Sequence, residues 1–396
     1  MSRVDALIVG GATVGASAAC ALARLGWRVA LLDRSRAADA PDGADMDPRV
    51  VALSPGGRRL LQGLGIWQRL DPKRIAPFER MRVESGGRIL NFDARDEGLD
   101  ALGWIVELPA LDHAACASAT HEGVEILRPA QLRSLRATGE GIEAVLEDDR
   151  TIHARLALAA DGKHSQVRAW AGIPVHSHDY NQRAIVTHLS SRRPNPGVAW
   201  QHFGPAGPLA LLPLPDGRSS LVWSVHRDFA QRMLALDDEQ FCTTLEAHAG
   251  DHPFGGIHAA GRRLAFPLAM HRARHFASGR IALIGDAARC VHPLAGQGLN
   301  LGLTDVAALI EVLGGLQPSA DPVRALQRYA RRRQSDSTLI TAGIHAFNEL
   351  RAFGPAARAA LGLGFELLNR VAPARAPFLH RALGLREAEA ALARLS

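Results

Sequence analysis

Glycine and aspartate recur in three places where their spacing could do chemistry. The first is Gly10-Gly11-Ala12-Thr13-Val14-Gly15, with Asp33 and Arg34 some twenty residues on. Gly10 allows a tight turn, and a helix opening behind it aims amide N–H groups and its dipole at a diphosphate. Gly15 lets that helix pack closely, and Asp33 can accept from ribose hydroxyls. The dinucleotide-binding pattern asks for glycine where Ala12 stands. The second place is Asp161-Gly162-Lys163-His164-Ser165-Gln166-Val167-Arg168. The third is Gly285-Asp286-Ala287-Ala288, followed by Pro293-Leu294-Ala295-Gly296-Gln297-Gly298-Leu299-Asn300. Arg49, in Asp47-Pro48-Arg49-Val50, adds a cation between the first two.

These residues need strands and helices to hold them. Val4 to Val9 reads as a buried parallel strand, Thr13 to Leu25 as a helix stopped by Gly26, and Val29 to Leu32 as a second strand ending on Asp33. That is a βαβ unit. Shorter strand-like pieces follow at Arg80 to Glu84, Gly123 to Leu127 and Ile142 to Leu146, with a helix near Leu108 to Thr120. Two further apolar runs, Leu156 to Ala160 and Arg280 to Ile284, end on Asp161 and Gly285, and Leu299 to Gly314 has helical spacing. Between them, Ala184 to Leu189, Val198 to Phe203, Leu209 to Leu214 and Ser219 to Val225 alternate as four antiparallel strands.

The organisation expected is α/β: a Rossmann-like domain over 1–174, with inserted strands at about 80–100, and completed by 271–335. A β-sheet domain over 175–270 interrupts it, and 336–396 form a C-terminal helical region broken by Gly354-Pro355 and Pro373 to Pro377.

Composition narrows the classes. The chain has 396 residues, 47% hydrophobic and 22% charged, enough for a large core and too apolar for a disordered chain. Cys20, Cys116, Cys242 and Cys290 lie far apart, which argues against a disulfide framework or a zinc site and fits a reducing compartment. The first strand begins too early for a secretory leader, and no uncharged run reaches the ~18 residues of a membrane span. A cytoplasmic protein is expected.

Basic residues number 46 against 40 acidic, and the whole excess lies in the last 76 residues, which hold 12 Arg and six acids. Such a tail raises nucleic acid or an anionic surface as partners. No interleaved aromatics or nucleic-acid motif accompany it, so nucleic acid is not expected.

Together the three Gly/Asp segments make the chain resemble the class A flavoprotein monooxygenases of the para-hydroxybenzoate hydroxylase fold. Further stretches are similar to one branch, the aromatic-ring hydroxylases of ubiquinone biosynthesis: Leu64-Gly65-Ile66-Trp67, Tyr180-Asn181-Gln182, Gln201-His202-Phe203, Gly207 to Pro213, and Tyr329 with Arg331 to Arg333. The resemblance covers nearly the whole chain.

It implies FAD as cofactor, with NAD(P)H and O2 as co-substrates and a polyprenylated phenol as substrate. It carries cofactor contacts onto Gly10, Ala12, Val14, Gly15, Asp33, Arg34 and Arg49, onto Asp161, and onto Gly285 and Asp286. In the last segment it carries them onto Pro293, Gly296, Gln297, Gly298, Leu299 and Asn300. The flavin performs the oxygen activation, so no catalytic side chain and no metal are implied. Val186, Trp200, Phe203, Leu211 and Pro293 are the candidate substrate pocket, beneath a sheet that keeps water out.

The chain departs from the family pattern at Ala12, at Leu108 after Ile105-Val106-Glu107, and at Arg289 where the family writes histidine. Cys290 reads as a buried thiol. Two other readings stay open: a hydroxylase of a small soluble aromatic, and a non-catalytic scaffold in a quinone-synthesis assembly. The Tyr329 to Arg333 charge reads in part as a solvated helix face. Ala356 to Gly384 mixes leucines and phenylalanines with arginines, which suits the inner face of the cytoplasmic membrane or a partner protein of quinone biosynthesis.

Overall fold

The computed structural model describes residues 2–36, 45–292, 296–336 and 383–395. Its centre is a six-stranded sheet in the order Ala277–Ser278, Ile281–Leu283, Leu156–Ala159, Ala6–Val9, Val29–Leu32, Glu125–Leu127. From Ile281–Leu283 onward every neighbouring pair is parallel. The strands Leu156–Ala159 and Val29–Leu32 are buried along their whole length, which is why they read as continuous apolar runs. Helix α1 (Thr13–Arg24) returns across the sheet with an almost wholly buried, alanine-rich face.

Ala6–Val9 has the next strand of the chain on one side and a strand some 150 residues later on the other. At such a reversal of strand order the helices leave in opposite directions and open a crevice at the carboxyl ends. Gly10, Asp33, Arg128, Asp161 and Gly285 all lie within two residues of the carboxyl ends of these five parallel strands.

A three-stranded antiparallel sheet, Val50–Leu53, Gly103–Glu107 and Ile75–Phe78, stands beside the crevice. Helix α2 (Pro55–Gly63) leaves its first strand, capped by the Ser54 hydroxyl on the Gly57 N–H, and α3 (Leu108–His121) leaves its second. The short α4 (Gln166–Trp170) follows Asp161.

The large sheet has nine strands and differs from the expected unit in two ways. It extends outside 175–270, because Arg80–Ser85, Arg88–Asp93 and Arg289–Cys290 pair into it. It is also mixed, since Val198–Gly204 runs parallel to Arg80–Ser85. That pairing joins residues more than a hundred positions apart, so local patterning could not reveal it. Val175–Ser191 is a single 17-residue strand whose register shifts between Asp179 and Gln182, where Asn181 takes φ 53°.

One face of this sheet is covered by α5 (Arg227–Ala235) and α6 (Asp238–His248), neither of which the sequence reading had assigned. The signal was available: Asp237 caps the Gln240 N–H, and Asp238 and Glu239 fill the first turn of α6. Trp200, Leu211, Leu221 and Trp223 meet Phe241 and Leu245 in that core. The opposite face turns toward the three-stranded sheet, where Ala199 and Leu212 meet Phe78 and Ile105.

Helix α7 (Gln297–Leu313) packs against α1, and a helix over Leu385–Leu392 closes against α2 and α7. The side chain of Leu392 lies where Gly63 lacks a Cβ. Residues 337–382, and with them the Pro- and Arg-rich stretches expected to meet a surface or partner, lie outside the described residues. No helix among the described residues is long and apolar enough to cross a membrane.

Candidate cofactor site at the strand ends

The turn after Ala6–Val9 leaves no room for side chains. Gly10 has φ 108°, and a Cβ on it would stand 2.2 Å from the Ala160 carbonyl oxygen. A Cβ on Gly15 would stand 1.9 Å from the Gly10 carbonyl oxygen. One residue along, the Gly11 N–H donates to Asp33 Oδ2 at 2.6 Å, and Arg128 Nη2 donates to the same oxygen at 3.0 Å. Ser35 donates from both its N–H and its hydroxyl to Asp33 Oδ1. Burial pushes the Asp33 carboxyl up, but the Ser35 and Gly11 hydrogen bonds and the Arg128 charge outweigh it and hold it below its ordinary range.

Helix α1 begins without a side-chain cap at Ala12, which is exposed. Its first-turn Thr13 instead donates from N–H and Oγ1 to Asp112 Oδ1 on α3, each at 2.6 Å. Val14 fills the gap left by two other glycines: a Cβ on Gly302 would lie 2.6 Å from its Cγ2, and one on Gly285 3.3 Å from its Cγ1. The first and third segments are therefore in contact.

Asp161 Oδ2 accepts from the Gln166 and Val167 N–H groups at the start of α4, while its Oδ1 is buried without a partner. Arg168 ties this segment to the third, donating to the carbonyls of Ala287 and Lys163. In the third segment Gly285 takes φ 57° and donates its N–H to Asp305 Oδ2 at 3.0 Å. Arg289 and Arg333 both bind the Asp305 carboxylate at 2.7 Å, and all three are buried. Arg289, the departure from the family histidine, is thus a brace for the Gly285-Asp286 turn.

Asp286 itself opens to the crevice, yet the protein crowds it closely. That desolvation raises its carboxyl, against the Arg289 and Lys163 charges. Cys290 is half-buried and desolvation pushes its thiol up to about 12, which suits a thiol with no nucleophilic part.

Gly296 starts α7 in the left-handed region with φ 61°, and a Cβ there would stand 3.3 Å from Ala52 Cβ. Gln297, Gly298 and Leu299 form the half-exposed first turn. Asn300 latches that turn to the strand Val50–Leu53: its Nδ2 donates to the Ala52 carbonyl at 2.8 Å, and its Oδ1 accepts from the Ser54 N–H at 2.9 Å. Pro293 lies outside the described residues. Arg49 is exposed and holds Asp47 through two 2.8 Å hydrogen bonds. Arg34 lies at the rim of a cavity of about 250 Å³ also lined by Pro129, Gln131 and Asp148.

The four described pocket candidates divide. Trp200 and Leu211 are fully buried under α5 and α6, on the face of the sheet turned away from the crevice, which corrects their assignment. Alternation puts Val186 on the other face, with Val222, Ala210 and Gln201 beside it in register. Phe203 shares that face but packs at its far end with Val83 and Leu90. His188, on the same face, is buried; desolvation and then the Arg218 charge lower its pKa and keep it neutral.

A row of glycines that admits no Cβ, helix N-termini, a buried orphan acceptor on Asp161 and a carboxylate at the second strand end fit a dinucleotide carrying ribose-like hydroxyls. The sequence reading missed Arg128, Asp112 and Asp305. Arg128 follows a strand end as the expected residues do; the two aspartates lie inside helices and gave no signal. Among the described residues no group of three or more His, Cys, Asp or Glu could hold a metal ion.

The FAD binding domain family matches residues 3–342. A ubiquinone hydroxylase, UbiL, of Rhodospirillum rubrum is 38% identical over 388 residues, covering 96% of this chain and 89% of that protein. The 3-demethoxyubiquinol 3-hydroxylase of Escherichia coli is 34% identical over 395 residues, covering 96% and 98%. Among solved structures, p-nitrophenol 4-monooxygenase PnpA from Pseudomonas putida DLL-E4 superposes with a TM-score of 0.78 at 19% identity, covering 97% of this chain and 99% of that one.

Proposed function

The chain belongs to the FAD binding domain family, and from that premise we infer that it is an FAD-dependent monooxygenase hydroxylating the aromatic ring of a polyprenylated phenol in ubiquinone biosynthesis. One observation carries the reading. Gly10, Asp33, Asp161 and Gly285 converge at the ends of adjacent parallel strands, in a chain matched over 96% of its length by hydroxylases of that quinone.

When bound, FAD would supply the redox chemistry, hydride acceptance from NAD(P)H and oxygen activation. The chain's residues bind, orient and exclude. The amides opening α1 would hold the diphosphate, Asp161 Oδ1 would accept from a hydroxyl, Asp33 would accept from another in exchange for one of its Ser35 or Arg128 hydrogen bonds, and Asp286 would hold the polyol chain. The first turn of α7, latched by Asn300, would offer its positive dipole end to the flavin ring.

The sheet face bearing Val186, Val222, Ala210 and Leu212 would roof the reacting ring. His188 on that face is held neutral, and the apolar side chains beside it would keep water off the reaction. A prenyl tail leaving water for such a surface gains about 0.8 kcal/mol per CH₂. The substrate reaches the site from a membrane surface or a partner protein docked at the basic C-terminal region.

The test is direct. Purified protein is yellow with bound flavin and consumes oxygen with NAD(P)H faster when a prenylated phenol is added. A flavin-loaded protein that ignores prenylated phenols but responds to simple hydroxybenzoates would overturn the substrate assignment.

A further inference from the structure

The amides of α1 that a diphosphate would use already have a carboxylate beside them. Asp112 Oδ1 takes both the N–H and the hydroxyl of Thr13, in the first turn of the helix. A carboxylate placed there does electrostatically what a phosphate does: it answers the unpaired N–H groups and the positive end of the dipole. Two anions cannot share that position without cost unless one is neutralised.

The surrounding charges do not neutralise it. Arg128, which reaches in from the segment after Glu125–Leu127, is committed to Asp33 at 3.0 Å. Arg49, ahead of Val50–Leu53, is committed to Asp47 at 2.8 Å. Asp33, at the end of Val29–Leu32, adds a like charge, and Cys116, one turn along α3, is a thiol raised chiefly by burial and partly by Asp112 itself. Burial pushes the Asp112 carboxyl up, against the Thr13 hydrogen bonds and the Arg128 charge and together with Asp33, leaving it above its ordinary range. A protonated Asp112 would also turn from competitor to donor, offering its O–H to a phosphate oxygen.

We propose that Asp112 is a cofactor-binding residue that takes up one proton when FAD binds, so that cofactor affinity falls as pH rises. The inference rests on the FAD reading above. Linkage fixes the sign: a group that binds a proton more tightly in the complex weakens binding up to tenfold per pH unit, between its pKa in the free protein and its pKa in the complex.

The experiment uses the full-length chain stripped of flavin and titrated with FAD, followed by flavin fluorescence and by calorimetry, from about pH 5.5 to about pH 8.5. The dissociation constant should rise with pH, and the binding enthalpy should depend on the ionisation enthalpy of the buffer in the direction of proton uptake. In Asp112→Asn the pH dependence should flatten and FAD should bind more tightly than in wild type at the alkaline end. A wild-type enthalpy independent of buffer, or an unchanged pH slope in the variant, would overturn the proposal; the buffer series needs no variant to fold. Failure of the wild-type protein to bind FAD at any pH would instead overturn the cofactor reading, and this inference with it, whereas a variant that alone fails to bind FAD would overturn this inference only.

Discussion

A methyl group on Gly10 would meet the Ala160 carbonyl oxygen at 2.2 Å, in a backbone conformation, φ 108°, that other residues rarely adopt. Gly10→Ala should therefore lower unfolding free energy by roughly 2–4 kcal/mol. It should also strip the flavin absorbance, both checked by denaturant titration of the purified variant. Asp33 permits a pH test. Its carboxyl lies below its ordinary value in the folded protein, so its stabilisation is present above the unfolded-state pKa of about 4 and fades as pH falls through the folded one. Asp33→Asn should be clearly less stable than wild type at neutral pH, and the gap should close toward acid; a constant gap would contradict the assignment. Gly10, Asp33, Asp161 and Asp286 were legible because a turn against a strand end admits few residue types. Asp112 and Asp305 were not, because their partners, Thr13 and the two arginines Arg289 and Arg333, are brought to them only by tertiary packing.

The strands of the large sheet show where reading by element stops. Their existence and alternation were visible in the sequence. Which parity faces the crevice was not, because α5 and α6 decide it by covering Trp200, Leu211 and Trp223. Two substitutions separate the faces. Trp200→Ala empties a fully buried site and should cost about 3–5 kcal/mol in stability, with little change in the KM for the phenol. Val222→Trp, on the half-exposed row beside Val186, should raise that KM while leaving flavin content and melting temperature near wild type. Steady-state kinetics and thermal melts on both variants check the pair, and the reverse pattern would put the substrate on the wrong face. The strands Arg80–Ser85 and Arg88–Asp93 were recognisable as strands, but their place at the sheet's edge depends on a parallel partner far along the chain.

At the scale of the molecule, the basic excess proves to be unevenly employed. Arg331 and Arg332 are exposed as a solvated helix face would have them, but Arg333 is buried against Asp305, and Tyr329 donates to the Leu283 carbonyl at 2.7 Å. Removing that arginine leaves a buried carboxylate short of a partner. Arg333→Ala should cost about 3 kcal/mol in stability and lower flavin occupancy, measured by chemical denaturation and by the flavin-to-protein absorbance ratio. The same brace sets an order of events during synthesis. Gly10 and Asp33 leave the ribosome early, but the turn at Gly285 is held by Asp305, which is complete only with Arg333. A chain arrested before that arginine should emerge colourless and hold flavin poorly, whatever its first half has folded into. Cofactor loading is then a late step of biogenesis, and the bound flavin reports that translation has passed Arg333.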